Sequence, residues 1–239
     1  NVKSVDEVKK VINNNFQCIE RTEYLPLWDC LFRVLAEDIF SPETLPPFSR
    51  SSVDGYAVKA SDTYGASDSL PAFLNFTGEI KMGKSAGKIN PGETKYIPTG
   101  GMLPQGADAV IMVEYTEKVD KQVYIYNQIA PGENVIKAGD DVKAGELVLP
   151  KGTVLKEAEL GSLAALGINK VPVYGKPVVG IISTGNELVS FDTEKLENGQ
   201  IRDINSIILS AMAQKFGAQV ILGGIRSDDF NSILSGAQN

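Results

Sequence analysis

The hydrophobic pattern of this chain changes its period twice, so one secondary-structure class cannot account for all of it. Residues 5–16 carry apolar side chains at helical spacing, after a Ser4–Glu7 pair with the spacing of a capping box. From about residue 46 to residue 142, short strand-like runs alternate with glycine and proline turns. After Gly152 helical spacing returns and is followed by near-continuous apolar runs. The pattern indicates several domains of different class.

Individual elements can be placed on this pattern. We expect a short helix over Trp28–Leu35 and a second helix over Ala158–Leu166, closed by Gly167. The run Val178–Ser183 is typical of a strand buried on both faces. Further along the chain, Asn205 is a good N-cap for a helix over Ser206–Phe216, and Val220–Leu222 follows as a strand. This order of strand, loop, helix and strand predicts the start of a parallel α/β layer.

Composition excludes several classes of function. The 239 residues contain no histidine, which excludes Ser-His-Asp and Cys-His catalysis and histidine-based zinc motifs. The two cysteines, Cys18 and Cys30, cannot form a disulfide framework, and we interpret both as buried apolar residues. A net charge of −7 argues against a nucleic-acid or membrane surface, and no apolar run is long enough to span a bilayer. With no secretory pattern at its start, the chain is expected to be cytoplasmic.

Polar residues follow the predicted parallel strands. Ser183, Thr184, Gly185 and Glu187 come at the carboxyl end of the first strand, where open α/β sheets bind ligands. Asp203 lies in the loop before the next helix, and Asp228 comes just after the next strand. Three carboxylates at one sheet edge predict a divalent-cation site, and oxygen-only ligands suit Mg²⁺. Helix capping is an equally good explanation of Asp203 and Asp228.

The β-rich segment offers weaker signals, each with an ordinary alternative. Asp54-Gly55 reads as a turn, and Thr99-Gly100 is either an anion-binding loop or a surface loop. The neighbours Asp140 and Asp141 point in opposite directions on an extended chain, so one can bind a ligand while the other is solvated. The spacing from Gly78 to Gly83-Lys84-Ser85 matches a phosphate-binding P-loop. We reject that motif because no helix-forming sequence follows it.

Taken together, these segments resemble the molybdopterin molybdenumtransferase family, which includes the C-terminal part of gephyrin. The matches run in family order from about residue 4 to the end, and although each is weak, the series is highly specific. It comprises Leu35-Ala36-Glu37-Asp38-Ile39, Leu45-Pro46-Pro47-Phe48, Asp54-Gly55-Tyr56-Ala57, Thr99-Gly100, Leu103-Pro104, Gly106-Ala107-Asp108-Ala109-Val110, Gly139 with Asp141, Ser183-Thr184-Gly185, Glu187-Leu188, Gly199-Gln200-Ile201, Asp203 with Asn205, and Asp228-Asp229.

The resemblance implies a multidomain fold that combines α+β and α/β parts. An elongated helix–strand domain, used for dimerisation, would comprise residues 1–45 and 143–175. A β-rich domain would be inserted as residues 46–142, and residues 176–239 would begin a parallel α/β molybdopterin-binding domain that is incomplete here. Members of the family resemble one another in forming homodimers, with the site between the α/β domain of one subunit and the inserted domain of the other.

The implied reaction is Mg²⁺-dependent insertion of molybdate into adenylylated molybdopterin, with release of AMP. The resemblance assigns catalytic roles to Glu187, Asp54 and Asp141, and it assigns the metal to Glu187 and Asp228. We expect Glu187 to supply protons to the oxygens that leave molybdenum. The residues expected to bind substrate are Thr99, Gly100, Ser183, Thr184, Gly185, Asp203 and Asn205.

The resemblance also leaves alternatives open. A molybdopterin adenylyltransferase is a candidate partner, and a non-catalytic dimeric scaffold of the gephyrin type is the alternative function. Retention of all five of the acidic and hydroxyl residues that the family would use favours the enzyme; these are Asp54, Thr99, Asp141, Glu187 and Asp228. The family's glycine-rich phosphate-binding segment and final β-barrel domain do not occur in these 239 residues, so this stretch alone is expected to be inactive. Asn186 stands where the family commonly has Asp.

Overall fold

A computed structural model of the protein describes residues 3–16 and 20–238, so the expectation for Cys18 lies outside the described residues. The helices are α1 (Val5–Asn15), α2 (Glu157–Ala165), α3 (Asn205–Lys215) and α4 (Phe230–Gln238). The strands are β1 (Thr22–Pro26), β2 (Ile39–Phe40), β3 (Arg50–Ser51), β4 (Gly55–Val58), β5 (Ala72–Glu79), β6 (Glu93–Ile97), β7 (Ala109–Met112), β8 (Thr116–Val119), β9 (Gln122–Ile125), β10 (Val135–Ile136), β11 (Leu147–Leu149), β12 (Lys170–Tyr174), β13 (Val178–Thr184), β14 (Leu188–Val189), β15 (Ile201–Arg202) and β16 (Gln219–Arg226).

The chain forms two compact units. One comprises Asn1–Asp38 with Leu149–Asn239, and the other, here called the inserted unit, comprises Ile39–Val148. The three-domain division expected from the sequence stays a prediction. None of the helices in the described part of the chain is long and apolar enough to cross a membrane.

The inserted unit is built on a six-stranded mixed sheet in the order β7-β4-β6-β5-β9-β8. Only the β5–β6 pair is parallel within this sheet. One core cluster centres on Tyr56, Val58 and Val123, and a second is formed around Ala57, Ile97 and Val110. Neighbouring residues of β4 therefore enter different clusters, as the alternation of side chains along a strand requires.

The other unit starts with helix α1, whose capping box at Ser4 and Glu7 is confirmed. Strand β1 pairs with β12 in antiparallel register from Thr22↔Tyr174 to Pro26↔Lys170. Helix α2 matches the expected helix to within one residue at each end, and Gly167 follows it with a φ of 69°. The expectation that Cys30 is buried is also confirmed, because its side chain is fully covered.

The helix expected over Trp28–Leu35 is wrong. Only Leu27–Asp29 is helical, as a single 3₁₀ turn, and a second turn at Leu31–Phe32 follows it. Val34 forms a bridge with Val154, and Leu35 forms one with Val173. Pairing with these distant segments supplies the backbone hydrogen bonds that a helix would otherwise make, so tertiary contacts override local preference here.

The parallel α/β layer is present. Strands β13 and β16 pair in parallel register from Val178↔Gln219 to Thr184↔Arg226, and α3 and α4 pack on both strands. The expectation that the first strand is buried on both faces is wrong for its first half, since Val178 and Val179 are exposed. Within residues 3–16 and 20–238, this sheet consists of these two strands alone, each hydrogen-bonded only to the other. Much of the surface of both strands is therefore exposed.

The start of α3 also differs from the expectation. Asn205 is the first residue of the helix and not its N-cap, a position that Ile204 takes without a side-chain bond. The Asp203 carboxylate accepts the backbone hydrogen bond of Ser206 instead, at 3.1 Å. The cap is therefore provided by Asp203, which confirms the capping alternative for that residue and shows that the expectation for Asn205 is wrong.

Candidate functional site

The strand-end cluster consists of residues 183–187 and Asp228, which lie at the end of β13 and just after β13 and β16. Since Thr184 is paired with Arg226, the two following loops start at the same edge of the sheet. The backbone N–H of Gly185 donates to the Arg226 carbonyl at 3.1 Å, and the Asp228 N–H donates to Asn186 Oδ1 at 3.3 Å. These two bonds hold the predicted residues of both loops side by side.

The Glu187 carboxylate lies close over Gly185. A Cβ placed on Gly185 would lie 3.0 Å from each carboxylate oxygen, and Gly185 has a φ of 155° that favours glycine. Glu187 is exposed, and its carboxylate accepts no hydrogen bond from the described part of the chain. The same holds for the exposed carboxylate of Asp228. Both groups are free to bind a cation or to exchange a proton.

Asp203 is placed differently, because its carboxylate is already engaged. Ser206 donates to it through its backbone N–H and its hydroxyl, and the Ser183 hydroxyl lies 2.9 Å from the Ser206 hydroxyl. Burial by itself raises the pKa of Asp203, but the hydrogen bonds from Ser206 and its neighbours outweigh it and hold the pKa below its usual value. The partly buried Ser183–Ser206–Asp203 chain therefore fixes the loop before α3.

Whether Mg²⁺ fits at this sheet edge depends on which carboxylate oxygens are available to it. Among residues 3–16 and 20–238, no three acidic or cysteine side chains converge as a metal site, so Glu187, Asp203 and Asp228 are not brought together as a trio. Mg²⁺ commonly binds through one or two carboxylates together with substrate phosphates. The unengaged oxygens of Glu187 and Asp228 fit that mode, and these two side chains would hold the ion.

The inserted-unit cluster consists of Asp54, Thr99 and Gly100, while Asp141, the fourth predicted residue of this unit, lies in the turn at 138–141. The Thr99 backbone N–H donates to Asp54 Oδ1 at 2.8 Å, which joins the turn before β4 to the loop after β6. Gly100, with a φ of 80°, donates its N–H to the Ser51 carbonyl at 2.8 Å. Asp54 and Thr99 are both exposed, so the structure brings this predicted pair together at the surface.

The structure also separates the roles of Asp140 and Asp141. The Asp140 carboxylate accepts from the Lys137 N–H at 2.7 Å and so closes its own turn. The Asp141 N–H donates to the Leu45 carbonyl at 3.1 Å, while its exposed carboxylate accepts no hydrogen bond from the described residues. Asp141 is thus the available one of the pair, but no hydrogen bond joins it to Asp54 or Thr99.

The sequence alone did not indicate the contacts of two residues, Asn186 in the strand-end cluster and Ser206 beside it. Ser206 completes the hydroxyl chain to Asp203, and its spacing three residues after an aspartate is a capping signal that could have indicated it. Asn186 was noted only as a departure from a family pattern, yet its side chain connects the two loops. No local signal indicates that connection, because it depends on the register of β13 and β16.

Comparison with known proteins gives a consistent result. A family model described as the MoeA N-terminal region, domains I and II, matches residues 3–167. Molybdopterin molybdenumtransferase of Bacillus subtilis is 38% identical over 233 residues, which cover 95% of this chain and 54% of the relative. Molybdopterin molybdenumtransferase 2 of Mycobacterium tuberculosis is 37% identical over 237 residues, which cover 98% of this chain and 58% of the relative.

A solved structure is similar over nearly the whole chain. The crystal structure of the molybdopterin biosynthesis MoeA protein from Pyrococcus horikoshii OT3 superposes with a TM-score of 0.90 at 40% identity, covering 98% of this chain and 62% of that one. The chain spans about half the length of the curated relatives it matches.

Proposed function

The chain belongs to the MoeA family, and on that basis we propose that it forms the N-terminal part of a molybdopterin molybdenumtransferase. In this proposal the whole protein inserts molybdate into adenylylated molybdopterin and releases AMP during synthesis of the molybdenum cofactor. The observation that carries the proposal is the strand-end cluster, where the unengaged carboxylates of Glu187 and Asp228 lie on loops fixed side by side.

Each residue of this cluster has a chemical part in the proposal. Glu187, whose carboxylate lies close over Gly185 and accepts no hydrogen bond from the described residues, would in its protonated form donate protons to the oxygens that leave molybdenum when the pterin sulfurs bind it. Asp228, together with the Glu187 carboxylate once it has given up its proton, would hold Mg²⁺, which would supply neutralisation of charge on the pyrophosphate. Thr184 and the backbone of Gly185 would orient the substrate at the strand end. Asp203 and Ser183 would act by holding the loop rigid, since their polar atoms are already bonded.

The inserted-unit cluster would contribute binding and orientation. The bond from the Thr99 N–H fixes Asp54, so its second carboxylate oxygen stays available to a ligand. The Thr99 hydroxyl and the Asp141 carboxylate are also unengaged within the described residues. The scaffold alternative requires no such set of free polar groups, and this is why we propose the enzyme.

The proposed function is tested by an insertion assay on the purified protein that carries this sequence. Adenylylated molybdopterin, molybdate and Mg²⁺ are supplied, and released AMP and pterin-bound molybdenum are measured. We expect Glu187→Gln to lower the rate about 100-fold or more, as loss of a proton donor does.

Glu197→Gln is the matched control, because Glu197 lies on the same polar loop and only its backbone takes part in hydrogen bonds. It should retain the full rate. Full insertion activity of Glu187→Gln would remove Glu187 from the mechanism. No AMP release and no molybdenum insertion by the unmodified protein would refute the function itself.

A further inference from the structure

A cleft on the inserted unit shares Gly100 with the inserted-unit cluster, and its other lining residues have no part in the function proposed above. It has a volume of about 390 Å³ and lies between Phe48, the turn at 82–85 and the loop at 100–102. A volume of this size is within the range of small-molecule sites, which start at about 300 Å³. All of its lining residues belong to the inserted unit.

The turn at 82–85 projects from a fixed base. Ile80, Ala86 and Ile89 on either side of it are buried in the unit. The Ile89 N–H donates to the Gln105 carbonyl at 2.8 Å, and the Gln105 N–H donates to the Gly87 carbonyl at 2.9 Å. These contacts anchor both ends of the turn, so the cleft is largely pre-formed.

The opposite wall continues the loop that holds Thr99. A Cβ placed on Gly100 would lie 3.5 Å from the Met82 methyl carbon, an ordinary van der Waals distance, so the two walls lie close together at this point. Thr99, next in the chain, is bonded to Asp54. The cleft therefore adjoins the inserted-unit cluster.

The lining combines two kinds of chemistry. Phe48 and Met82 expose large apolar side chains, and an aromatic ring and a thioether are both good surfaces for a flat ring. Lys84 is exposed and has no ion-pair partner within the described residues, so its ammonium group is free for an anion. No helix follows this turn, which agrees with rejecting a P-loop, and Lys84 would bind a phosphate as a point charge.

From this lining we propose that the cleft binds a flat heteroaromatic ring that carries a phosphate, with the ring against Phe48 and Met82 and the phosphate at Lys84. The proposal rests on the function proposed above, because the substrate assigned there carries two such groups, an adenylyl end and a phosphorylated pterin end. Lys84 and Phe48 then become specificity-determining residues of the inserted unit.

The test is direct binding to the 239-residue chain, followed by amide NMR shifts at Gly83, Lys84 and Gly100. The probes are AMP, a phosphorylated neopterin, adenosine and inorganic phosphate. We expect saturable shifts with AMP or with the phosphorylated pterin, and whichever binds more tightly identifies the source. Adenosine and inorganic phosphate should each bind at least tenfold more weakly than that ligand.

Variants separate the two halves of the cleft. Lys84→Ala should weaken binding of the phosphorylated ligand about tenfold, while Phe48→Ala should weaken it without changing the response to inorganic phosphate. Lys121→Ala is the matched control, because Lys121 is an exposed lysine of the same unit outside the cleft, and it should bind normally. The proposal is overturned if neither phosphorylated probe shifts these amides, or if Lys84→Ala and Lys121→Ala bind equally. The binding measurement does not depend on insertion activity. Binding without insertion would contradict the proposed function, and insertion without binding would contradict the ligand proposed for this cleft.

Discussion

Arg33 and Glu23 form the one ion pair within residues 3–16 and 20–238, and it is only partly open to solvent. The Arg33 side chain is 9% exposed, and its guanidinium also donates to the Tyr174 carbonyl at 2.6 Å. Its hydrogen bond to Glu23 holds the pKa of that carboxyl below its ordinary value of 4.5. The pair joins β1, which precedes the 3₁₀ turn, to the segment that follows the turn, next to β12.

The lowered pKa of Glu23 makes a prediction about pH. A carboxyl whose pKa is lower in the folded state stabilises the fold above its unfolded pKa, and that contribution is lost as pH falls through the folded pKa. Glu23→Gln should therefore lower the urea midpoint at pH 7, with the difference from the unmodified chain shrinking below about pH 4.5.

Urea unfolding at several pH values between about 3 and 7 checks this. Glu43→Gln, an exposed site whose side chain makes no hydrogen bond in the described chain, is the control and should follow the unmodified curve. A gap that stays constant across the whole pH range would show that Glu23 acts through packing and not through its charge.

Single residues were predictable where the interaction is local. The Ser4–Glu7 capping box and the glycine after α2 follow from spacing alone, because every partner lies within a few residues. The left-handed Phe32, with a φ of 59°, had no such signal, since bulky residues rarely adopt that conformation. Its backbone N–H donates to the Leu155 carbonyl at 2.7 Å, a contact that only the folded chain creates.

At the scale of elements, β4 depends on one glycine. A Cβ on Gly55 would lie 2.1 Å from the Ile111 carbonyl oxygen and 2.9 Å from Val110 Cγ1, both on the neighbouring strand. Real Cβ atoms do not approach backbone oxygens so closely, so any side chain would push β4 and β7 apart. Gly55→Ala should lower the free energy of unfolding by about 3 kcal/mol.

Gly161→Ala is the control for this substitution. Gly161 lies within α2, where a Cβ would meet nothing within 4 Å. Alanine there should raise the free energy of unfolding by about 1 kcal/mol, because it is the better helix former. Thermal or urea unfolding of both variants gives the comparison, and equal effects of the two changes would contradict the steric argument.

Elements were predictable from the sequence to the extent that they satisfy their own hydrogen bonds. Helix α2 was placed to within one residue at each end. Residues 28–35 were not, because backbone N–H groups of this segment donate to the carbonyls of Thr153 and Leu155, far along the chain. For the same reason, the sequence could indicate that Asp54 and Thr99 matter but could not join them, since that contact needs two turns of the inserted unit to fold against each other.

At the scale of the whole molecule, the α/β layer leaves a large apolar surface open. Exposed apolar residues lie along α3, at its C-terminal end and along the two strands; they include Val178, Val179, Ile207, Ile208, Leu209, Met212, Phe216, Ile221 and Leu222. Patches of this kind bind dyes and other apolar surfaces.

We expect the 239-residue chain to enhance the fluorescence of the dye ANS while still folded. The double substitution Ile208→Lys with Met212→Lys, one turn apart on α3, should lower that fluorescence by about half, since it removes part of the patch. Val119→Lys, at an exposed valine of the inserted unit, should leave the signal nearly unchanged. Equal losses of ANS fluorescence for the two variants would show that the dye does not bind mainly at this patch.

The paths by which the chain enters and leaves the inserted unit are themselves paired. The Ser41 N–H donates to the Glu146 carbonyl and the Leu45 N–H donates to the Val142 carbonyl, each at 2.8 Å, while the Lys151 N–H donates to Asp38 Oδ1 at 2.6 Å in the other unit. In each unit, therefore, the two chain segments at which the inserted unit begins and ends are joined by a hydrogen bond. In evolutionary terms, residues 39–148 are a segment that can be exchanged, because its two ends lie close together. A short turn could replace it, and a longer or shorter domain could be inserted in its place, at little cost in loop-closure entropy.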